Sequence, residues 1–259
     1  MRGLIGYTGF VGSNLLNKLK FDRLYNSKNI SEIKGESFEL LICAGAPAVK
    51  WKANKFPDED LSNIQFLINN LEEVTCKEFV LISTVDVYKK PTKVYESTKI
   101  DVDSLEPYGR HRLLLERFVR QHFPKVRIIR LPGLFGQGLK KNIIYDFIHN
   151  NCVEMINSEN IFQFYNLDRL SRDLDIVMKN NVSLINFATE PMSVKEVAKY
   201  ALNLEFTQTV GNSPVSYDMR TEHASLFNQK TDYIASKEEV LDDIRKFVQN
   251  EIISKEIKQ

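Results

Sequence analysis

Residues 2–16 read RGLIGYTGFVGSNLL: a short apolar run, then glycines at Gly6, Gly9 and Gly12, then residues able to open a helix. A glycine loop that leaves a first strand and enters a helix lets the backbone approach a pyrophosphate. The free N–H groups and dipole of the helix favour the negative charge. The same triplet taken alone also describes a tight strand-to-helix turn. The rest of the chain decides between the two.

Outward from this loop, short apolar runs alternate with helix-like segments. After GLIGY and a helix from about Ser13 come FELLICAGA, a helix around LSNIQFLINNLEEV, EFVLISTVDVY, RLLLERFVRQHF and VRIIRLPGLFG. This alternation predicts a mostly parallel sheet, and the nearly continuous apolar runs predict strands covered on both faces. From about Leu139 the pattern loosens. A helix near NIIYDFIHNN, a polar stretch and a helix opening at MSVKEVAKYALNL predict a smaller lobe built on the same sheet. In the tail, Val240, Ile244 and Phe247 or Val248 share one face, the pattern of a packed amphipathic helix.

The 259 residues suffice for one large α/β domain, or for a nucleotide-binding domain with a second lobe. Hydrophobic residues make up 43% and charged residues 27%, and the formal net charge is +1. No global field points to nucleic acid or to an anionic membrane, so a small molecule is the expected partner. Cys43, Cys76 and Cys152 lie far apart without metal-ligand spacing, and no apolar stretch is long enough to cross a bilayer. With no signal-type block at the N-terminus, the expected setting is cytoplasmic, with reduced thiols and no metal.

The spacing in GYTGFVGSNLL resembles the extended short-chain dehydrogenase/reductase family, which includes the nucleotide-sugar epimerases, dehydratases and reductases. ICAGAP resembles the family's strand with small residues under the nicotinamide, LISTVDVY its strand bearing the catalytic Ser or Thr, and PYGRHRLLLE its tyrosine helix. IIRLPGLFGQG is similar to the next strand and the turn toward substrate. FQFYNLDRL and INFATEPMSVKEVA are fainter echoes of the C-terminal lobe. The resemblance implies an α/β fold, a Rossmann-type doubly wound sheet with a small C-terminal substrate lobe. Residues 1–140 would bind NAD(P), and residues 141–259 would form a substrate lobe interleaved with the same sheet. It also implies cofactor contacts at Gly6, Thr8, Gly9, Phe10, Val11 and Gly12, at Ala44, Gly45 and Ala46, and at Ser83 and Pro132.

Such chemistry needs a phenol to exchange a proton with an alcohol or carbonyl, a hydroxyl to hold that oxygen, and a cation to lower the phenol's pKa. By resemblance Tyr108, Thr84 and Arg112 take these roles, with Ser83 as a second candidate hydroxyl. Arg112 stands where the family has lysine, four residues after the tyrosine and so on the same helical face. Arginine keeps a charge able to meet the ribose, but it is bulkier, fork-shaped and permanently protonated. Tyr108 is expected to head a helix with Leu114 and Phe118 on its core-facing stripe, while His111 points elsewhere with a surface or packing role. A literal YxxxK, Tyr95 to Lys99, is expected in a solvated loop.

The dehydratases of the family carry an Asp-Glu pair where this chain has Val85 and Asp86, so dehydration is disfavoured. Asp86 is a candidate substrate ligand or an ordinary strand-end polar residue. The end of the second strand offers Asn26, Ser27 and Lys28 and no acid for the ribose hydroxyls of NAD, which tilts the choice toward NADP. Lys50, with Trp51 and Lys52, is expected on a cleft loop, and Lys140, Lys141 and Asn142 follow the PGLFGQG turn. Lys50, Lys140 and Asn142 are the candidate contacts to a sugar diphosphate. Arg130, a charge in an apolar strand, needs a partner, either a structural acid or the substrate.

The expected activity is an NAD(P)-dependent oxidoreductase or epimerase acting on a nucleotide-linked sugar by hydride transfer with Tyr108 as acid-base. The alternative is a dinucleotide-binding sensor or interaction protein without turnover. A homodimer is implied by the resemblance alone.

Overall fold

The four apolar runs supply β1 (Arg2–Ile5), β3 (Ser37–Cys43), β4 (Thr75–Thr84) and β5 (Val126–Leu131), and two short strands, β2 (Arg23–Tyr25) and β6 (Leu184–Asn186), join them. They form one sheet in the order β6-β5-β4-β3-β1-β2, and every neighbouring pair is parallel. Helices α1 (Phe10–Lys18), α2 (Lys50–Lys55), α3 (Pro57–Leu71), α4 (Pro107–His122) and α5 (Leu170–Lys179) complete this layer. Leu4, Leu41, Ile42, Phe79, Val80, Ile128 and Ile129 are fully buried, as strands covered on both faces require. The fold is α/β, a doubly wound parallel sheet.

The computed structural model describes residues 1–211 and 213–256, the side chains of the last helix as far as Ile253. It comprises two units. The first holds Met1–Lys90, Glu96–Leu131 and Arg169–Asn186, and therefore the whole six-stranded sheet. The second holds Pro91–Tyr95, Pro132–Asp168 and Phe187–Gln259. The chain thus leaves the first unit at Pro132 rather than near residue 140, and Arg169–Asn186 returns to it because β6 pairs with β5.

In the second unit, Gly133–Phe135 pairs with Phe164–Asn166, and Ile161–Phe162 pairs with Met192–Ser193. Phe135, Ile144, Phe164, Met192, Val197, Ile244 and Val248 share its apolar core. Ser193 and Glu196 form a capping box at the start of the Val194–Leu202 helix. The tail helix, Lys237–Glu256, buries Val240, Ile244 and Val248 as its periodicity requires.

β1 and β3 are neighbours, while β2 lies beyond β1, so the chain reverses its winding direction between them. In open α/β sheets ligands bind at such a switch point, outside the carboxyl ends of the strands. The glycine loop follows β1, and Ala44–Ala46 follows β3. On the outer side β2 has three residues and is the edge strand.

Candidate functional site

Each glycine of the loop has its own constraint. Gly6 has φ +85°, and a Cβ there would lie 2.3 Å from the Ala44 carbonyl oxygen. A Cβ on Gly12 would lie 2.0 Å from the Gly6 carbonyl oxygen, so only glycine lets α1 start against the loop. Gly9 is different: it is exposed, has φ −80°, and its Cβ would meet nothing nearer than Gly6 O at 3.3 Å. Packing within the protein thus explains two of the glycines, while the open side of Gly9 suits the approach of a phosphate. Gly9 caps α1 without a side-chain hydrogen bond, and Thr8 beside it is exposed.

Beyond β2, the Asn26 amide donates to the Tyr7 hydroxyl (3.1 Å), and its Oδ1 accepts from the Lys28 N–H (2.8 Å). Asn26 therefore ties this turn to the glycine loop. Ser27 and Lys28 remain exposed.

Tyr108 lies in the first turn of α4, and its N–H donates to Asn54 Oδ1 of α2 (3.0 Å). Gly109 packs against the turn after β4 so closely that a Cβ would lie 1.9 Å from the Asp86 carbonyl oxygen. That turn holds Thr84 and Asp86: the Thr84 hydroxyl donates to Asp86 Oδ2 (3.3 Å) and accepts from the Asp86 N–H (3.2 Å). Burial pushes the Tyr108 phenol above its ordinary value. The Arg112 charge, the Thr84 hydroxyl and Lys50 oppose that rise, while the Asp86 charge adds to it.

Arg112 does not present its guanidinium as the missing lysine would. It makes a two-pronged pair with Asp60 of α3, with Nη2 to Oδ1 at 2.8 Å and Nη1 to Oδ2, and also donates to the carbonyls of Pro47 and Tyr108. Its Cζ lies 4.0 Å from the centre of the Tyr108 ring. The charge thus reaches the phenol from beneath the ring, and the expected donation to a ribose finds both Nη atoms engaged. His111, expected at the surface or in packing, is buried with Nδ1 2.8 Å from Asp60 Oδ2. Burial pushes the Asp60 carboxyl up, but hydrogen bonds and charge from Arg112 and His111 together hold it below its ordinary value.

Ser83 donates to Glu116 Oε1 (2.5 Å), and Arg130 pairs with the same carboxylate (Nη2 to Oε2, 2.6 Å) and donates to the Tyr88 hydroxyl (2.7 Å). Arg130 therefore has a structural acid as its partner, and Ser83 belongs to that buried network. Leu114, expected on the core stripe of α4, is 38% exposed, and Leu115 and Val119 face the core instead. Two carboxylates at helix-core positions, Asp60 and Glu116, are what sequence reasoning missed. Asp60 sits among the buried Ile64, Leu67 and Ile68 of α3, the signal of a carboxylate on an apolar face.

Lys50 lies on a helix rather than a loop, and its Nζ is 2.6 Å from Asp86 Oδ1. Trp51 is exposed, and Lys52 pairs with Glu59. In the second unit, Asn142 caps the Ile143–His149 helix, accepting from the N–H groups of Ile144 and Tyr145 and donating to the Leu134 carbonyl. These bonds give it a structural role as a helix cap. Lys140 is exposed there, and Pro132 is buried at the start of the unit. Tyr95 accepts a hydrogen bond from Arg220 (3.3 Å), and Lys99 is exposed in irregular chain outside any helix.

No family profile matches the sequence, and no curated protein matches it. Solved structures do. A dTDP-4-dehydrorhamnose reductase from Bacillus anthracis, in complex with NADP, superposes with a TM-score of 0.72 at 17% identity, covering 96% of this chain and 99% of that one. A UDP-glucose 4-epimerase from Thermotoga maritima, solved with UDP-glucose, gives 0.70 at 15% identity, covering 96% and 98%. A NAD-dependent NDP-hexosamine 5,6-dehydratase of tunicamycin biosynthesis, TunA, gives 0.70 at 17% identity, covering 96% of each chain. This is the fold of nucleotide-sugar epimerases, dehydratases and reductases. At 15–17% identity the likeness establishes the fold, and it agrees with the family resemblance carried by the glycine loop and the tyrosine helix. Among the described residues, no helix is long and apolar enough to cross a membrane.

Proposed function

We propose that the chain is an NAD(P)-dependent oxidoreductase or epimerase acting on a nucleotide-linked sugar. Tyr108, Thr84 and Asp86 meet in the unit that also holds the glycine loop, and this meeting supports the reading most strongly. Gly6, Gly9 and Gly12 with the first turn of α1 would hold the pyrophosphate, and Ala44–Ala46 would line the nicotinamide side. Ser27 and Lys28 are exposed just past β2, where the sequence Asn26-Ser27-Lys28 holds no acid, which favours a 2′-phosphate and hence NADP. When bound, the nicotinamide supplies or accepts a hydride at the sugar carbon.

The chain's own residues handle the proton. Burial keeps the Tyr108 phenol protonated, the form that gives its proton to a substrate carbonyl oxygen. In the opposite direction the phenolate takes the proton of a substrate hydroxyl. Thr84 orients that oxygen, and Arg112 beneath the ring stabilises the phenolate. Lys140 is the remaining candidate for a diphosphate contact in the second unit. A cytoplasmic setting, a homodimer and the substrate lobe belong to the same proposal, and the three unpaired cysteines suit the first of these.

A second reading, a dinucleotide-binding sensor without turnover, is favoured by one observation: both Nη atoms of Arg112 are engaged by Asp60 and backbone carbonyls. Titration with NADPH and NADH, followed by nicotinamide fluorescence, tests both readings against a Gly9→Asp variant. Binding by the wild type alone, followed by turnover of a pyrimidine nucleotide sugar, establishes the enzyme. Binding without turnover selects the sensor, and no binding by the wild type rejects both.

A further inference from the structure

α2 carries Lys50 and Asn54 four residues apart, and therefore on one face. Asn54 Oδ1 accepts the Tyr108 N–H at 3.0 Å, one of the amides at the start of α4 that the helix itself cannot satisfy. Lys50 Nζ reaches Asp86 Oδ1 at 2.6 Å, and the other oxygen of that carboxylate takes the Thr84 hydroxyl. One short helix thus grips the tyrosine by its backbone and places an ammonium on the acid that bonds Thr84, the hydroxyl in contact with the phenol. The Lys50 side chain is 46% exposed and that of Asp86 is 20% exposed, whereas Arg112 is 4% exposed and fixed on Asp60.

We propose that Lys50 is the positioning cation of this site: by neutralising Asp86, the acid bonded to the Thr84 hydroxyl that meets the phenol, it supplies from α2 the solvent-accessible charge that the buried Arg112 does not. Arg112 cannot perform that part, because it is buried with its Nη atoms fixed on Asp60 and on backbone carbonyls. The charges that act on the phenol include two ion pairs, Arg112 with Asp60, where the guanidinium lies under the ring, and Lys50 with Asp86, which bonds Thr84, while His111 joins the first. Asp86 left alone would hold the phenol protonated and block its use as a base. Lys50 removes that obstacle while staying in contact with solvent. Its value for catalysis rests on the acid-base reading of Tyr108, but its coupling to the phenol does not.

The test replaces Tyr108 by 2,3,5-trifluorotyrosine, whose phenol ionises near neutral pH, where lysine and aspartate are both charged. The single fluorinated side chain is titrated by fluorine NMR. Lys50→Met is expected to raise the midpoint by about one unit, Lys50→Arg to bring it back toward the parent value, and Asp86→Asn to lower it. An unchanged midpoint in a folded Lys50→Met protein overturns the inference, as does a shift of Asp86→Asn in the same direction as Lys50→Met. If Lys50→Met does not fold, the Asp86→Asn titration decides. NADPH fluorescence on the same fluorinated parent separates the two proposals: failure to bind removes the dehydrogenase reading and leaves the Lys50 result standing.

Discussion

At the scale of single residues, Tyr108 carries the acid-base reading and Arg112 qualifies it. Tyr108→Phe removes the proton and little volume, so turnover is expected to fall by about 10²–10⁴-fold with NADPH binding retained, measured by steady-state rates beside a fluorescence titration. An unaltered rate would dismiss Tyr108 as the acid. Arg112→Lys restores the family's residue in sequence but loses the two-pronged contact with Asp60 and the stacking beneath the ring. It is therefore expected to lower thermal stability without raising the rate, and a gain in rate would show that the clamp impairs the site. The tyrosine was legible in the sequence because its spacing from Thr84 and its place before an amphipathic stretch are local. The partner of Arg112 was not, since Asp60 lies 52 residues away and only the packing of α3 against α4 brings it near.

At the scale of elements, the contact between α4 and the turn after β4 positions the phenol. Gly109→Ala introduces a methyl group where the Asp86 carbonyl already stands, and backbone has to move. We expect a loss of about 1–3 kcal/mol of stability, read from denaturant unfolding, together with a loss of rate. The α3–α4 clamp carries a pH signature. The Asp60 carboxyl is held below its ordinary value of 3.8, so the stability it contributes is fully present above that pH and is lost as pH falls through the folded-state value. Asp60→Asn leaves Arg112 buried without its counter-charge, which should cost about 3–5 kcal/mol at neutral pH. The gap to wild type should narrow in acid below pH 3.8, and a constant gap in unfolding curves across that range would refute the linkage. α2 escaped sequence reading because VKWKANK has no apolar period. The helix buries Ala53 and bonds to its neighbours through Lys50 and Asn54, contacts that a local pattern does not mark.

At the scale of the whole molecule, the parallel sheet with its switch point between β1 and β3 offers one place for a dinucleotide. A ligand that binds only the folded state stabilises it by about 2.7 kcal/mol at a hundredfold excess over Kd. NADPH is accordingly expected to raise the melting temperature of the wild type and leave that of Gly9→Asp unchanged, as followed by calorimetry. Equal shifts in both proteins would place the ligand away from the glycine loop.

The sequence by itself determined the sheet, its parallel sense, the glycine loop and the tyrosine helix, because apolar period, turn glycines and motif spacing act over a few residues. Tertiary structure alone decided the partners of the charges: Arg112 with Asp60, Arg130 with Glu116, Lys50 with Asp86, and Asn142 as a helix cap. It also decided that Arg169–Asn186 completes the first unit. The physical reason is the same throughout. A buried charge needs a counter-charge, and which one it receives depends on elements that are distant in the chain and meet only when the helices pack on the sheet.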